Sequence, residues 1–165
     1  MSETSNNYVI DPSIDEFEHT HLSSIDPNDN TVEEDVYDLE IGKTAKQAFQ
    51  DKKTGQDKYF YKFDLTIVRH AKRSGRRLFP VMFPDGETLK ACRKLMDATG
   101  VPQEQDETVG DWIIRVGTIQ PKAIFRTQVT RKLDKKKTQQ AKEANPDAAE
   151  VFANYVNWRE VVAAN

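Results

Sequence analysis

Between positions 69 and 77 the chain places Arg69, His70, Lys72, Arg73, Arg76 and Arg77 around a Ser74-Gly75 turn, and Tyr59, Phe60, Tyr61, Phe63, Phe79 and Phe83 flank that cluster. Cations hold phosphates by Coulomb attraction and planar rings stack on bases, so this combination suits single-stranded nucleic acid. A solvated, positively charged turn on an ordinary sheet is the other reading of the same residues. Catalytic chemistry is harder to build. Asp64, Asp85, Glu87 and Lys90 could be drawn as the acidic cluster and lysine of a metal-dependent nuclease. Asp64 falls in mid-strand, however, and helix capping accounts better for the others. His19 and His21 form a His-x-His pair with no fixed third ligand, and metal affinity needs preorganised geometry. No Walker, GxGxxG, GxSxG or HExxH motif occurs. The expectation is a binding protein with no enzymatic activity, no cofactor and no metal.

Strands and turns must position these groups. Tyr61, Phe63, Leu65 and Ile67 recur every second residue, which puts all four on one face of a strand over 58–69. Tyr37, Leu39 and Ile41 alternate in the same way in a strand over 36–49, and a polar turn at Thr54-Gly55 joins the two. A third strand, 76–83, completes an antiparallel set. The period then changes: Leu89, Cys92, Leu95 and Met96 have helical spacing over 88–99, with Asp85 or Thr88 as cap and Gly100 as stop. WIIRVGTI (112–119), with Gly117 as a bulge, and AIFRTQVTRKL (123–133) read as two further strands. The succession β-β-β-α-β-β is that of the five-stranded OB-fold barrel, whose strand 2–3 face and loops bind oligonucleotides. The predicted class is therefore mainly β with accessory helices.

Charge divides the chain. Residues 1–42 hold twelve Asp and Glu and no Lys or Arg; the remaining 15 of the 27 carboxylates face all 24 cations. The reading is an acidic, disordered arm over 1–34, a nucleic-acid-binding domain over 35–134, a polar linker over 135–146 and an amphipathic helix over 147–165. Two roles stay open for the arm: competing with nucleic acid for the basic surface, or keeping the protein soluble. In the last segment Val151, Phe152, Tyr155, Trp158 and Val162 make one helical stripe, and Phe152, Tyr155 and Trp158 are candidate partner or oligomer contacts. A single cysteine, Cys92, excludes an intrachain disulfide. No apolar run reaches membrane-spanning length and no signal peptide is evident, so a soluble, cytoplasmic protein is expected.

The candidate nucleic-acid contacts are Lys52, Lys53, Phe60, Lys62, Arg69, Lys72, Arg73, Arg76, Arg77, Arg126, Arg131 and Lys132. Phe49, Tyr59 and Phe79 are further candidate stacking rings, and Phe60 is the preferred one because it shares a face with Lys62.

Over residues 36–133 the chain resembles the OB-fold single-stranded DNA-binding proteins of tailed-phage replication and recombination modules. The resemblance rests on VYDLEIGK, SGRRLFPVMF, LKACRKLMDATGV and GDWIIRVGTIQPKAIFRTQVTRKL. It implies a protein that coats single-stranded DNA with little sequence preference during phage DNA replication or recombination, in the host cytoplasm, with replication or recombination proteins as partners. The chain departs from that pattern in carrying its acid at the N-terminus. The alternative is a protein-interaction or virion-structural module that uses the C-terminal aromatic helix.

Overall fold

A computed structural model describes residues 17–24 and 29–165. The other arm positions, including the apolar Val9, Ile10 and Ile14, lie outside the described residues.

Strand β1 (Asp35–Gln50) and strand β2 (Asp57–Val68) form a long antiparallel hairpin. The alternation read from sequence is the one observed: Tyr37, Leu39 and Ile41 of β1 and Tyr61, Phe63, Leu65 and Ile67 of β2 are buried. A bulge between Ile41 and Lys43 shifts the register, so beyond it Thr44, Lys46 and Ala48 stand opposite Phe63, Tyr61 and Tyr59. Cross-strand partners share a face. The far half of the hairpin therefore has an inner face with Lys46, Tyr59 and Tyr61, and an outer face with Lys43, Gln47, Phe49, Lys58, Phe60, Lys62 and Asp64.

The third strand is two short pieces, β3 (Arg77–Leu78) and β4 (Val81–Met82), both paired with β2. Pro80 stands between them; it has no N–H to donate, while its carbonyl accepts from the Phe63 N–H at 3.0 Å. Helix α1 (Gly86–Thr99) starts at Asp85, whose carboxylate accepts from the Thr88 N–H at 2.8 Å, and stops at Gly100. It buries Ala91, Cys92 and Leu95, and burial pushes the Cys92 thiol up to about 11.

Residues 112–119 are not a strand. They belong largely to helix α2 (Val109–Val116), capped by Thr108, whose hydroxyl accepts from the Asp111 N–H at 3.1 Å. The buried residues Trp112, Ile113 and Val116 follow i, i+1, i+4 spacing, and the Trp112 indole donates to the Val101 carbonyl at 3.0 Å. An apolar run this dense satisfies either period, so its cap and packing decide. Gly117 is the end of this helix and not a bulge. A Cβ there would stand 2.6 Å from the Thr44 backbone N, so only glycine lets the helix end against β1.

Strand β5 (Ile124–Leu133) pairs antiparallel with the first part of β1 and buries Phe125, Thr127 and Val129. The polar stretch read as a linker contains helix α3 (Lys135–Ala144), capped by Asp134. Its Lys, Gln, Ala and Glu residues are good helix formers with little to bury, which is why no apolar period announces it.

The C-terminal helix expected over 147–165 is also absent. The chain there forms β6 (Phe152–Val156), a 3-10 turn (Trp158–Glu160) and β7 (Val162–Ala163), and both strands pair with β5. The free edge of β5 supplies a ladder that outweighs the helical apolar pattern. Trp158 packs against Phe63 and Phe125, with ring centroids 4.9 and 5.8 Å apart.

The result is one antiparallel seven-stranded sheet in the order β3-β2-β1-β5-β6, with β4 on β2 and β7 on β5. The class is mainly β, as expected. The sheet is open: neither β3 nor β4 pairs with β6 or β7, so the closed five-stranded barrel is not formed. No described helix is long and apolar enough to cross a membrane.

Candidate nucleic-acid interface

Of the places where cations meet aromatic rings, two gather several cations each, and the two are wired differently. The first is the loop over 69–77, where most of the sequence-predicted arginines lie. A strap of chain over 29–35 runs beside it. Val32 is buried at 2% exposure, and Asn154 of β6 clamps its backbone, accepting from Val32 N–H and donating to Val32 O, each at 2.8 Å. The strap's polar groups then engage the loop. Arg73 Nε donates to Glu33 at 2.8 Å, Arg76 donates to the Asn30 and Thr31 carbonyls, and His70 Nε2 lies 3.1 Å from Asp35. Arg131 of β5 reaches Asp29 at 2.6 Å and covers the ring of Phe152.

The carboxyls record these contacts. The His70 hydrogen bond, followed by the Val36 N–H, holds Asp35 below the usual carboxylate range. Burial opposes ionisation of Glu33 and Asp29, yet hydrogen bonds from Arg73 to Glu33, and from Thr31 and Arg131 to Asp29, leave both lowered. Burial and the nearby Glu33 and Asp35 push the Tyr37 hydroxyl, which donates to the Glu33 carbonyl at 2.6 Å, up to about 12.

Other predicted contacts are also internal. Arg126 grips Asp38, itself 8% exposed, at 2.7 and 3.2 Å, and Arg69 donates to the Ala164 carbonyl at 3.0 Å. Lys72 is exposed on the loop and Lys132 on β5.

The second region is the outer face of β2, β3 and β4 with the far half of the hairpin. Phe49, Phe60 and Phe83 form a three-ring cluster with centroids 5.6 to 6.2 Å apart. Phe79 continues the surface toward β3, its ring covered by the Arg77 guanidinium at 5.2 Å. Phe60, the preferred ring from sequence, is half-buried by its neighbours. Phe79 and Phe83 are the open ones, at 66% and 50% exposure, with Val81 between them at 38%. Alternation along β2 ranks Phe60 correctly as outward but cannot show that Phe49 and Phe83 close over it.

Lysines surround these rings. Lys43 and Lys62 are exposed on this face, and Lys52 and Lys53 are exposed in the turn beyond it. None of these four has a carboxylate partner among the described residues. Two cations of the face are neutralised: Lys58 pairs with Asp51 at 2.7 Å, and Arg77 pairs with Asp64, its Nε at 3.1 Å.

No family model, curated protein or solved structure matches the chain. The geometry of the two regions is therefore the ground for a functional reading.

The three C-terminal aromatics do not form a docking stripe, because no helix carries them. Trp158 turns to the core, Phe152 lies under Arg131, and only Tyr155, at 49% exposure, faces outward. The candidate nuclease cluster also disperses: Asp64 pairs with Arg77, Asp85 caps α1 and Glu87 pairs with Lys90. Among the described residues no group of three His, Cys, Asp or Glu is placed to hold a metal ion.

Proposed function

We propose that the chain is a non-enzymatic, OB-type single-stranded DNA-binding protein that coats DNA with little sequence preference, using the outer face of β2, β3 and β4. The observation that carries this reading is the row of rings Phe49, Phe60, Phe83 and Phe79 beside Lys43 and Lys62. Every base has a π-face, so a phenylalanine platform accepts any sequence, while mobile lysines follow the phosphates. The strand order gives independent support. With β3 and β4 counted as strand three, β5 as four and β6 with β7 as five, the pairings 1-2, 2-3, 1-4 and 4-5 of the OB topology all occur, and the 3-5 closure alone is missing. Phe60, Lys62, Phe79 and Phe83 lie on or beside strands two and three, whose face holds oligonucleotides in OB folds, and Lys43 and Phe49 extend the platform onto strand one.

The test is fluorescence anisotropy of the full chain with a labelled oligo-dT at two salt concentrations, with duplex DNA as competitor. Tight, salt-sensitive binding that duplex does not displace is expected. Absence of binding at low salt, or equal competition by duplex, would overturn the reading.

A further inference from the structure

On the inner face of the same hairpin, opposite the phenylalanine platform, lies a cavity of about 320 Å³ bounded by Tyr59, Tyr61, Pro84, Leu89, Val109 and Ile113. That volume is at the small end of the 300–1,000 Å³ range of small-molecule sites, the scale of one planar heterocycle. The strand pattern explains why it exists. After the bulge in β1 the inner face turns aromatic, but α1 and α2 reach it only with their first turns, leaving Tyr59 and Leu89 at 37% and 56% exposure. Gly110 keeps the floor open, because any Cβ at that position would collide with the Tyr61 hydroxyl.

Two charges flank the cavity. Lys46 Nζ stands 3.9 Å from the centre of the Tyr59 ring. Asp85, which lines the cavity, turns one carboxylate oxygen to the Thr88 N–H. A phosphate entering there would meet Asp85, whereas a neutral ring with N–H donors would meet an acceptor. Between this cavity and the outer platform lies the edge of β1 over 43–50, which pairs with β2 on one side and, among the described residues, with no strand on the other.

We infer that the cavity takes one nucleobase of the bound strand, which passes round the free edge of β1, leaves its phosphate at Lys46 and inserts the base beside Tyr59. This rests on the single-stranded DNA reading above and extends it to a second, half-open subsite. The outer rings hold bases on an open surface; this site receives one between Tyr59 and the first turns of α1 and α2.

The experiment uses the full chain with ¹³C-labelled methyl groups and oligo-dT as the probe. Leu89, Val109 and Ile113 line the inner cavity, whereas Val81 is on the outer face, so their methyl signals report the two sites separately. Shifts in both sets are expected. Tyr59→Ala should weaken oligo-dT binding at least about fivefold, the lower end of what one stacked base contributes, with the salt dependence unchanged. Tyr59→Phe should restore affinity, and Leu89→Trp, a change at an exposed helix position that fills the mouth, should reproduce the loss without affecting folding. Shifts confined to Val81, with Tyr59→Ala and Leu89→Trp binding as the parent does, would overturn the inference while leaving the outer platform standing. If oligo-dT moves neither set, the DNA-binding reading itself fails.

Discussion

The arginine loop and the phenylalanine platform are made of the same kinds of residue, and they differ in what their charges meet. In the loop, Arg73, Arg76 and His70 face a strap whose carboxylates and carbonyls already occupy them, and Arg131 closes the strap from the other side. On the platform, Lys43 and Lys62 project beside rings and form no salt bridge among the described residues, because Asp64, which stands opposite Lys43, is held by Arg77. Density of positive charge along a sequence is therefore a poor guide to a polyanion site. What matters is the charge left over after the fold has satisfied its own acids. The strap is also a structural part of the domain, since Val32 sits in the core and Asn154 holds its backbone. The described end of the acidic arm lies against basic residues as their counter-ion, the placement that competition with nucleic acid would require.

This contrast can be broken in several ways. The largest effect is expected on the platform: Phe79→Ala with Phe83→Ala should weaken oligo-dT binding by about 100-fold, at ~1–3 kcal/mol per lost stack. Both rings are half or more exposed, so thermal unfolding should be nearly unchanged, and a large drop in Tm would show that they belong to the core instead. Next is salt. If about four cations meet phosphates, the logarithmic slope is near −2.8 and a fourfold rise in salt weakens binding roughly 50-fold; a flat response would remove the electrostatic half of the proposal.

The strap should respond oppositely. Val32→Ala removes two buried methyl groups and should cost about 2 kcal/mol of stability, measured by urea unfolding, with oligo-dT affinity retained wherever the protein is folded. Loss of affinity without loss of stability would place the strap in the site. Acid provides a related test. The carboxyls of Asp29, Glu33 and Asp35 lie below their ordinary values in the folded protein. Their contribution is complete above the ordinary carboxylate range of about 4 and is lost as pH falls through the lowered folded values. The melting temperature should therefore fall below that range, and less steeply in Glu33→Gln. A Glu33→Gln curve that parallels the parent would exclude this ion pair as a source of acid sensitivity.

The smallest effects compare single cations. Lys62→Gln should weaken oligo-dT binding about threefold and reduce the salt slope by ~0.7, one phosphate's worth. Arg73→Gln should leave the slope unchanged, because Glu33 already holds that charge. A reversal of these two results would return the site to the loop.

Much of the fold could be read in the residues. Alternation in VYDLEI and YFYKFDLTI fixes which face of β1 and β2 is buried, because period two allows one answer when one face is apolar and the other charged. Asp85 and Gly100 bracket α1 for reasons internal to their own side chain and backbone. WIIRV, by contrast, is apolar at positions that suit either period, and Phe152, Tyr155 and Trp158 have helical spacing yet join the edge of β5. Helix α3 has almost no apolar residue to signal it. For the end of WIIRV and for the C-terminal aromatics, the deciding partners, β1 at Thr44 and the edge of β5, are distant in sequence.

The same division applies to the candidate site. Local order determined that rings and cations alternate along β2, that Phe60 and Lys62 share a face, and that the basic cluster lies in a turn. Only the tertiary structure decided which of those charges remain available, because a salt bridge such as Arg73–Glu33 or Arg131–Asp29 joins residues that no local pattern relates. It also decided which rings are open, since the exposure of Phe79 and Phe83 and the partial burial of Phe60 depend on how a broken third strand lies across the hairpin. Periodicity is a property of neighbours along the chain, whereas neutralisation and exposure are set by the groups that folding brings alongside.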